Sequence, residues 1–148
     1  MTIRTAIDLI KSHEGCRLTA YRDTLGKLTI GYGRCVPGIK SGDTCTQASA
    51  DAWLDDAVKV AGAGAVRVCQ RAGINWAALS EPRRAVLTDM AYQLGEGGLG
   101  AFRNMLGAIK GEMWIAAATA GLASMWAKQT PNRAHQNMTI MQSGEWPG

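Results

Sequence analysis

The stretch that decides how this chain is read is His13-Glu14-Gly15-Cys16-Arg17-Leu18-Thr19-Ala20-Tyr21-Arg22-Asp23-Thr24-Leu25-Gly26-Lys27-Leu28-Thr29-Ile30-Gly31-Tyr32-Gly33. Just upstream, Ile3, Ile7 and Ile10 recur at helical spacing with Ala6 beside them, while Arg4, Asp8 and Lys11 take the other face. That pattern predicts a short amphipathic helix over residues 3–13. Glu14-Gly15 ends it, because glycine suits a left-handed exit. Beyond Gly15, Leu18, Ala20, Leu28 and Ile30 mix with Thr and Tyr on either side of Gly26. This predicts a β-hairpin turning at Asp23-Thr24-Leu25-Gly26, with the second strand ending at Gly31-Tyr32-Gly33. One carboxylate therefore ends a helix, a second lies nine residues on at an open turn, and a threonine stands in the returning strand.

Glycoside hydrolysis uses such a set. One protonated carboxyl delivers a proton to the leaving oxygen, and a second, ionised carboxylate activates water or attacks the sugar. The two need different surroundings so that their proton affinities separate. A helix end packed against a lobe and an open turn would supply that difference. Thr29 offers a hydroxyl to hold a water beside Asp23. Spacing alone decides little, since a Glu and an Asp nine residues apart are common and usually solvated.

Outward from this stretch, residues 34–45 carry Pro37, Gly38 and Gly42 and read as loop. Thr46 is the N-cap expected for a helix over residues 47–68, striped by Trp53, Leu54, Ala57, Val58 and Ala61 and weakened by Gly62 and Gly64. Ser80 caps a helix with Pro82 in its first turn, running to Leu94, and Gly95–Gly100 is a break. Helices follow over 101–109, 112–119 and 121–127, and Thr130-Pro131 opens the last. The expected architecture is α+β. A small β-containing lobe (about 14–46) and a larger helical lobe (about 70–148 plus 1–13) are joined by the long helix 47–68, all in one domain of 148 residues.

Bulk properties limit the alternatives. At 47% apolar the chain can bury a core, and its 19% of charged residues are scattered, which speaks against disorder. A net charge of +4 favours anionic partners, but no basic stripe or recognition motif singles out nucleic acid. Arg4, Asp8 and Lys11 interrupt the N-terminal stretch, so neither a signal peptide nor a spanning helix is expected, and synthesis in the cytoplasm follows. Neither the four cysteines (Cys16, Cys35, Cys45, Cys69) nor the separated His13 and His135 have the spacing of a zinc site, so no metal and no cofactor are expected. Cys35 and Cys45 bracket the loop and either staple it when oxidised or remain thiols with the others. Trp53, Trp76, Trp114 and Trp126 read as core, and Trp146 as packing the tail back onto the helices.

Glu14, eight residues, Asp23, five residues, then Thr29 resembles the catalytic pattern of the phage lysozymes, the glycoside hydrolases related to the lysozyme of T-even bacteriophages. Glu14-Gly15, Leu18, Tyr21, Asp23-Thr24, Gly26, Thr29-Ile30-Gly31 and Gly33 all fall where that family has them. Met90-Ala91-Tyr92-Gln93-Leu94-Gly95-Glu96 with Phe102 and Asn104 resembles its central helix and turn, and Trp126–Ala134 its C-terminal signature. The resemblance implies Glu14 as general acid, Asp23 as the residue that activates water or attacks the sugar, and Thr29 as the third member. It implies that Arg133 pairs with Glu14 from the other lobe. That pairing alone would favour the carboxylate, so burial must offset it, or Arg133 chiefly fixes the rotamer. The candidate substrate-binding residues are Tyr32, Tyr92, Gln93, Asn104 and Arg133, aromatic faces and amides being suited to sugars. The implied reaction is hydrolysis, by inversion, of the β-1,4 bond between N-acetylmuramic acid and N-acetylglucosamine in peptidoglycan. The enzyme would act as a monomer in the periplasm after release through a holin, without inserting stably in the membrane.

Two departures stand out. Arg34 replaces a histidine common in the family and is expected to pair with Asp55 or Asp56. Asp89 replaces an asparagine and is either a buried, hydrogen-bonded acid or exposed. His13 points away from its neighbour Glu14 and reads as a surface or packing residue. Two competing readings are a lytic transglycosylase, which needs one carboxyl, and a non-catalytic wall-binding module. Asp23 with Thr29 counts against the first, and the intact trio against the second.

Overall fold

The computed structural model describes residues 2–148 and is α+β: seven α-helices and one two-stranded antiparallel sheet among those residues. Helix α1 spans Ala6–Glu14. Thr5, extended, accepts the Asp8 amide on its side chain, and the acid in the first turn suits the helix dipole. The helix buries Leu9 and Ile10 completely. Its exit at Gly15 has φ 65° with ψ 172°, so the sign of φ is the expected one but the chain leaves straight into a strand rather than through a helical left-handed turn.

Strands β1 (Arg17–Arg22) and β2 (Leu28–Gly31) pair with Tyr21 opposite Thr29 and Arg22 opposite Leu28. Ile30 and Arg34 then exchange both backbone hydrogen bonds (2.9 and 3.0 Å), closing a tight turn in which Gly31 and Gly33 hold positive φ. The 34–45 loop returns along the free edge of β1, where the Ala20 amide donates to the Asp43 carbonyl (2.7 Å) and the Cys45 amide to the Leu18 carbonyl (2.8 Å). An otherwise open edge is thus covered. All four cysteines are free thiols, so backbone hydrogen bonds close this loop.

Helix α2 spans Gln47–Ala72, capped by Thr46 as expected, and runs past residue 68 to a left-handed Gly73. Gly62 and Gly64 do not break it. A side chain at Gly64 would sit 3.4 Å from Glu96, so the missing side chain lets the next long helix come close. After a 3₁₀ turn at Trp76–Ala78, which the sequence pattern did not reveal, α3 spans Glu81–Gly100. Ser80 accepts the Arg83 amide and Pro82 lies in the first turn. Gly95 (φ 78°, ψ 168°) interrupts α3 as expected, but residues 96–100 are helical rather than irregular, because Leu99 is fully buried and recruits that turn into the core.

Helices α4 (Arg103–Lys110), α5 (Trp114–Leu122), α6 (Met125–Gln129) and α7 (Pro131–Ser143) complete the chain. Thr130 precedes α7 but does not cap it with its side chain; its hydroxyl donates instead to the Trp126 carbonyl at 3.0 Å. The core falls into two clusters. The larger gathers Leu9, Val86, Leu87, Met90, Leu99 and Met138 with their neighbours, and Trp146 packs against it. The smaller joins Ile10, Tyr32, Ala50 and Leu54, with Tyr92 packed on both. Among the described residues no helix is long and apolar enough to cross a membrane.

Candidate active site

Glu14 is the last residue of α1, so the helix that buries Leu9 and Ile10 also sets the position of its carboxyl. The side chain is 18% exposed, and its Oε1 accepts from Arg133 Nη1 at 3.0 Å. Oε2 faces Gly33, where an added Cβ would approach it to 3.1 Å. Glycine at 33 therefore serves twice: it holds φ at 73° and leaves room for the acid.

Asp23 stands in different surroundings. It opens the hairpin turn, and its Oδ1 accepts from the amides of Leu25 and Lys27, each at 2.9 Å. These bonds fix the carboxyl by the turn's own backbone and leave Oδ2 without a protein partner among the described residues. Thr29 is buried in β2 beside Tyr21, and its hydroxyl reaches the Tyr21 carbonyl only at 3.4 Å, a loose bond.

Arg133, in the first turn of α7, bridges Glu14 and Asp89. Its Nη2 donates to Asp89 Oδ1 at 2.7 Å and its Nε to Oδ2 at 3.2 Å. Asp89 lies on α3, is fully buried, and also accepts from Asn137 Nδ2 at 2.6 Å. His13 Nδ1 faces the same Oδ2 at 3.2 Å, and His13 Nε2 is bonded to Gln136 Oε1. Burial alone would push the Asp89 carboxyl up. The hydrogen bonds from His13 and Arg133, with their charges, outweigh it and hold the group below the usual carboxylate range. Of the two readings left open for Asp89, the buried, hydrogen-bonded one is what the structure contains. Gln136 and Asn137 were not singled out from sequence. The usable signal was their spacing three and four residues after Arg133, which puts all three on one helix face.

The aromatic and amide candidates do not share one pocket. Tyr32 is 8% exposed and belongs to the smaller core cluster, with its hydroxyl donating to Asp51 Oδ1 at 2.9 Å and accepting from Gln47. Burial, then the hydrogen bond to Asp51, push that phenol up to about 12. Tyr92 donates to the Tyr32 carbonyl at 2.7 Å and so pins α3 to the glycine turn beside Glu14. Burial first, then the charge of Glu14, push it up to about 12. Gln93 accepts from Trp126 Nε1 at 2.8 Å. Asn104 lines a largely apolar groove of about 500 Å³ with Phe102, Trp126 and Gln129, a groove that does not include Tyr32 or Tyr92. Those two line a separate cavity with Arg34 and Trp53. Arg34 makes no ion pair with Asp55 or Asp56; its guanidinium lies over the Trp53 ring, 5.4 Å from the centroid. The face of the indole attracts this cation through the negative charge of its ring quadrupole.

Comparison with known proteins adds to this geometry. A family model described as phage lysozyme matches residues 11–139. The pre-baseplate central spike protein Gp5 of Enterobacteria phage T4 is 27% identical over 157 residues, which cover 93% of this chain and 27% of that protein. The probable T4-type lysozyme 1 of Dictyostelium discoideum is 24% identical, with 93% of each chain covered. An endolysin of Lactococcus phage c2 is 44% identical over 54 residues, 35% of this chain and 23% of that one. The chain thus spans little more than a quarter of the spike protein and nearly all of the Dictyostelium protein.

Proposed function

The chain belongs to the phage lysozyme family, and from that premise we propose that it is an N-acetylmuramidase, hydrolysing the β-1,4 bond between N-acetylmuramic acid and N-acetylglucosamine in peptidoglycan. The observation that carries this reading is the contrast between two carboxyls. Glu14 is tucked between Arg133 and Gly33, whereas Asp23 is tied to an open turn by one oxygen only. A proton donor and a water-directing partner need different surroundings, and these two carboxyls have them. Glu14 donates its proton to the leaving oxygen. The free Oδ2 of Asp23 takes a proton from water, and the loosely held Thr29 hydroxyl helps to place that water. On this assignment the water oxygen bonds to the anomeric carbon from the face opposite the leaving group, and the outcome is inversion.

One chain supplies both carboxyls, so a monomer suffices. The substrate lies outside the inner membrane, and release through a holin followed by action in the periplasm fits a chain whose described residues include no spanning helix.

The test is clearance of outer-membrane-permeabilised Gram-negative cells by wild type, Glu14→Gln and Asp23→Asn. Wild type should clear them, and Glu14→Gln should be slower by roughly 10²–10⁴-fold. Equal rates for Glu14→Gln and wild type would refute the assignment. Fresh product of the β configuration would rule out inversion, and 1,6-anhydro ends would point to a transglycosylase instead.

A further inference from the structure

Arg133 poses a problem for the proposed acid. A guanidinium at hydrogen-bond distance favours the ionised form of a carboxyl, yet a general acid must enter the reaction carrying its proton. The structure surrounds that guanidinium with a second carboxylate. Asp89 takes one whole edge, through Nη2 and Nε, while Nη1 is left for Glu14. The planar fork of arginine permits this bridging, which a lysine could not match. Asp89 is wholly buried, so water does not screen its charge.

The charged and titratable groups around this centre come from three helices and the turn after β2. On α1, His13 touches Asp89 through Nδ1 and Gln136 through Nε2. On α3, Tyr92 stands near Glu14 as a neutral phenol. On α7, Arg133 is the bridge, and Asn137 adds a neutral donor to Asp89. Beyond β2, Arg34 is a further cation close enough to act on Tyr92.

We propose that Asp89 is a positioning residue for Glu14: it clamps the Arg133 guanidinium in one plane and offsets its charge, so that Arg133 orients the acid without driving off its proton. His13 is the counterweight, since it shares Asp89 Oδ2 with Arg133 Nε and so competes for part of the charge available to Arg133. The inference rests on the reading of Glu14 as the proton donor.

The experiment is the pH dependence of kcat/KM on purified peptidoglycan at constant ionic strength, for wild type, Asp89→Asn, His13→Gln and Glu14→Gln. Asp89→Asn keeps the size of the side chain and one acceptor for Arg133 but removes the charge. Its alkaline limb should move down by about one pH unit, which makes it about tenfold slower than wild type on that limb beyond any uniform loss. His13→Gln should move the same limb upward. A purely structural role would lower the rate by one factor at every pH. If folded Asp89→Asn has an alkaline limb that superimposes on wild type or lies above it, the proposal is overturned while the role of Glu14 stands. If Asp89→Asn does not fold, as removing one partner of a buried pair can cause, His13→Gln decides: an upward limb upholds the proposal, and an unmoved or lower one overturns it. Full activity in Glu14→Gln would instead overturn the underlying reading of the acid.

Discussion

One guanidinium holding two carboxylates makes Arg133 and Asp89 interdependent. Removing either leaves the other's charge buried without its main partner, which costs about 3–5 kcal/mol in comparable pairs. Arg133→Leu and Asp89→Leu should therefore each destabilise by about that amount in urea titrations, while the double variant should cost well under their sum. Additive losses would mean that the two side chains are energetically independent despite their 2.7 Å contact. This centre also shows where sequence reading reaches its limit. Glu14, Asp23 and Arg133 are singled out by the resemblance to the phage lysozymes, the spacing of the two carboxylates alone deciding little, and Arg133 does lie against Glu14. The environment of Asp89 was not readable, because its partners are 44, 48 and 76 residues away and only packing brings them together. Arg34 fails for a related reason. Opposite charges on nearby elements suggested an ion pair, but the guanidinium lies over the Trp53 ring and pairs with neither aspartate.

Among the elements, two helix starts were legible, since Thr46 and Ser80 satisfy exposed amides by short-range chemistry that sequence displays directly; α1 begins at Ala6 rather than residue 3, and Thr130 does not cap α7 with its side chain. Helix ends were less so. Burial of Val68 and Cys69 carries α2 beyond residue 68, and burial of Leu99 makes a helix of a glycine-rich stretch. The glycines of that stretch thus have opposite roles two residues apart. Gly95 has φ 78° and ψ 168°, a region open essentially to glycine alone, and open space where a Cβ would go. Gly97 also faces open space, but with an ordinary helical backbone. Gly95→Ala should destabilise by about 1–3 kcal/mol through the backbone alone. Gly97→Ala should stabilise by up to about 1 kcal/mol, chiefly by restricting the unfolded chain. Thermal or urea unfolding of the two variants side by side checks this, and a stabilising Gly95→Ala would show that the kink is not a constraint on the fold.

At the scale of the whole molecule, the buried charge centre joins α1, α3 and α7 where the two core clusters meet at Tyr92. Its protonation is therefore linked to folding. Asp89 is held below the usual carboxylate range in the folded state, so the stability it contributes is present above the unfolded value near 4 and is lost as pH falls through the folded value. Two other carboxyls are lowered as well: Asp51 by hydrogen bonds from Gln47 and then Tyr32, and Glu96 by hydrogen bonds from Arg67 and then Arg71. Both are partly exposed, at 45% and 32%, so salt screens the charge part of their effect, whereas it hardly reaches Asp89. Acid loss of stability should then be dominated by the buried centre. The wild-type Tm should hold between pH 7 and 5, fall steeply below about pH 4, and keep most of that fall when salt is raised to about 0.5 M. Asp89→Asn, which has no proton to gain there, should begin with a lower Tm at pH 7 and lose less of it on acidification. Scans of both proteins at each pH and two salt concentrations separate the sources. Parallel curves for the two proteins would move the origin of acid sensitivity from Asp89 to the surface carboxylates.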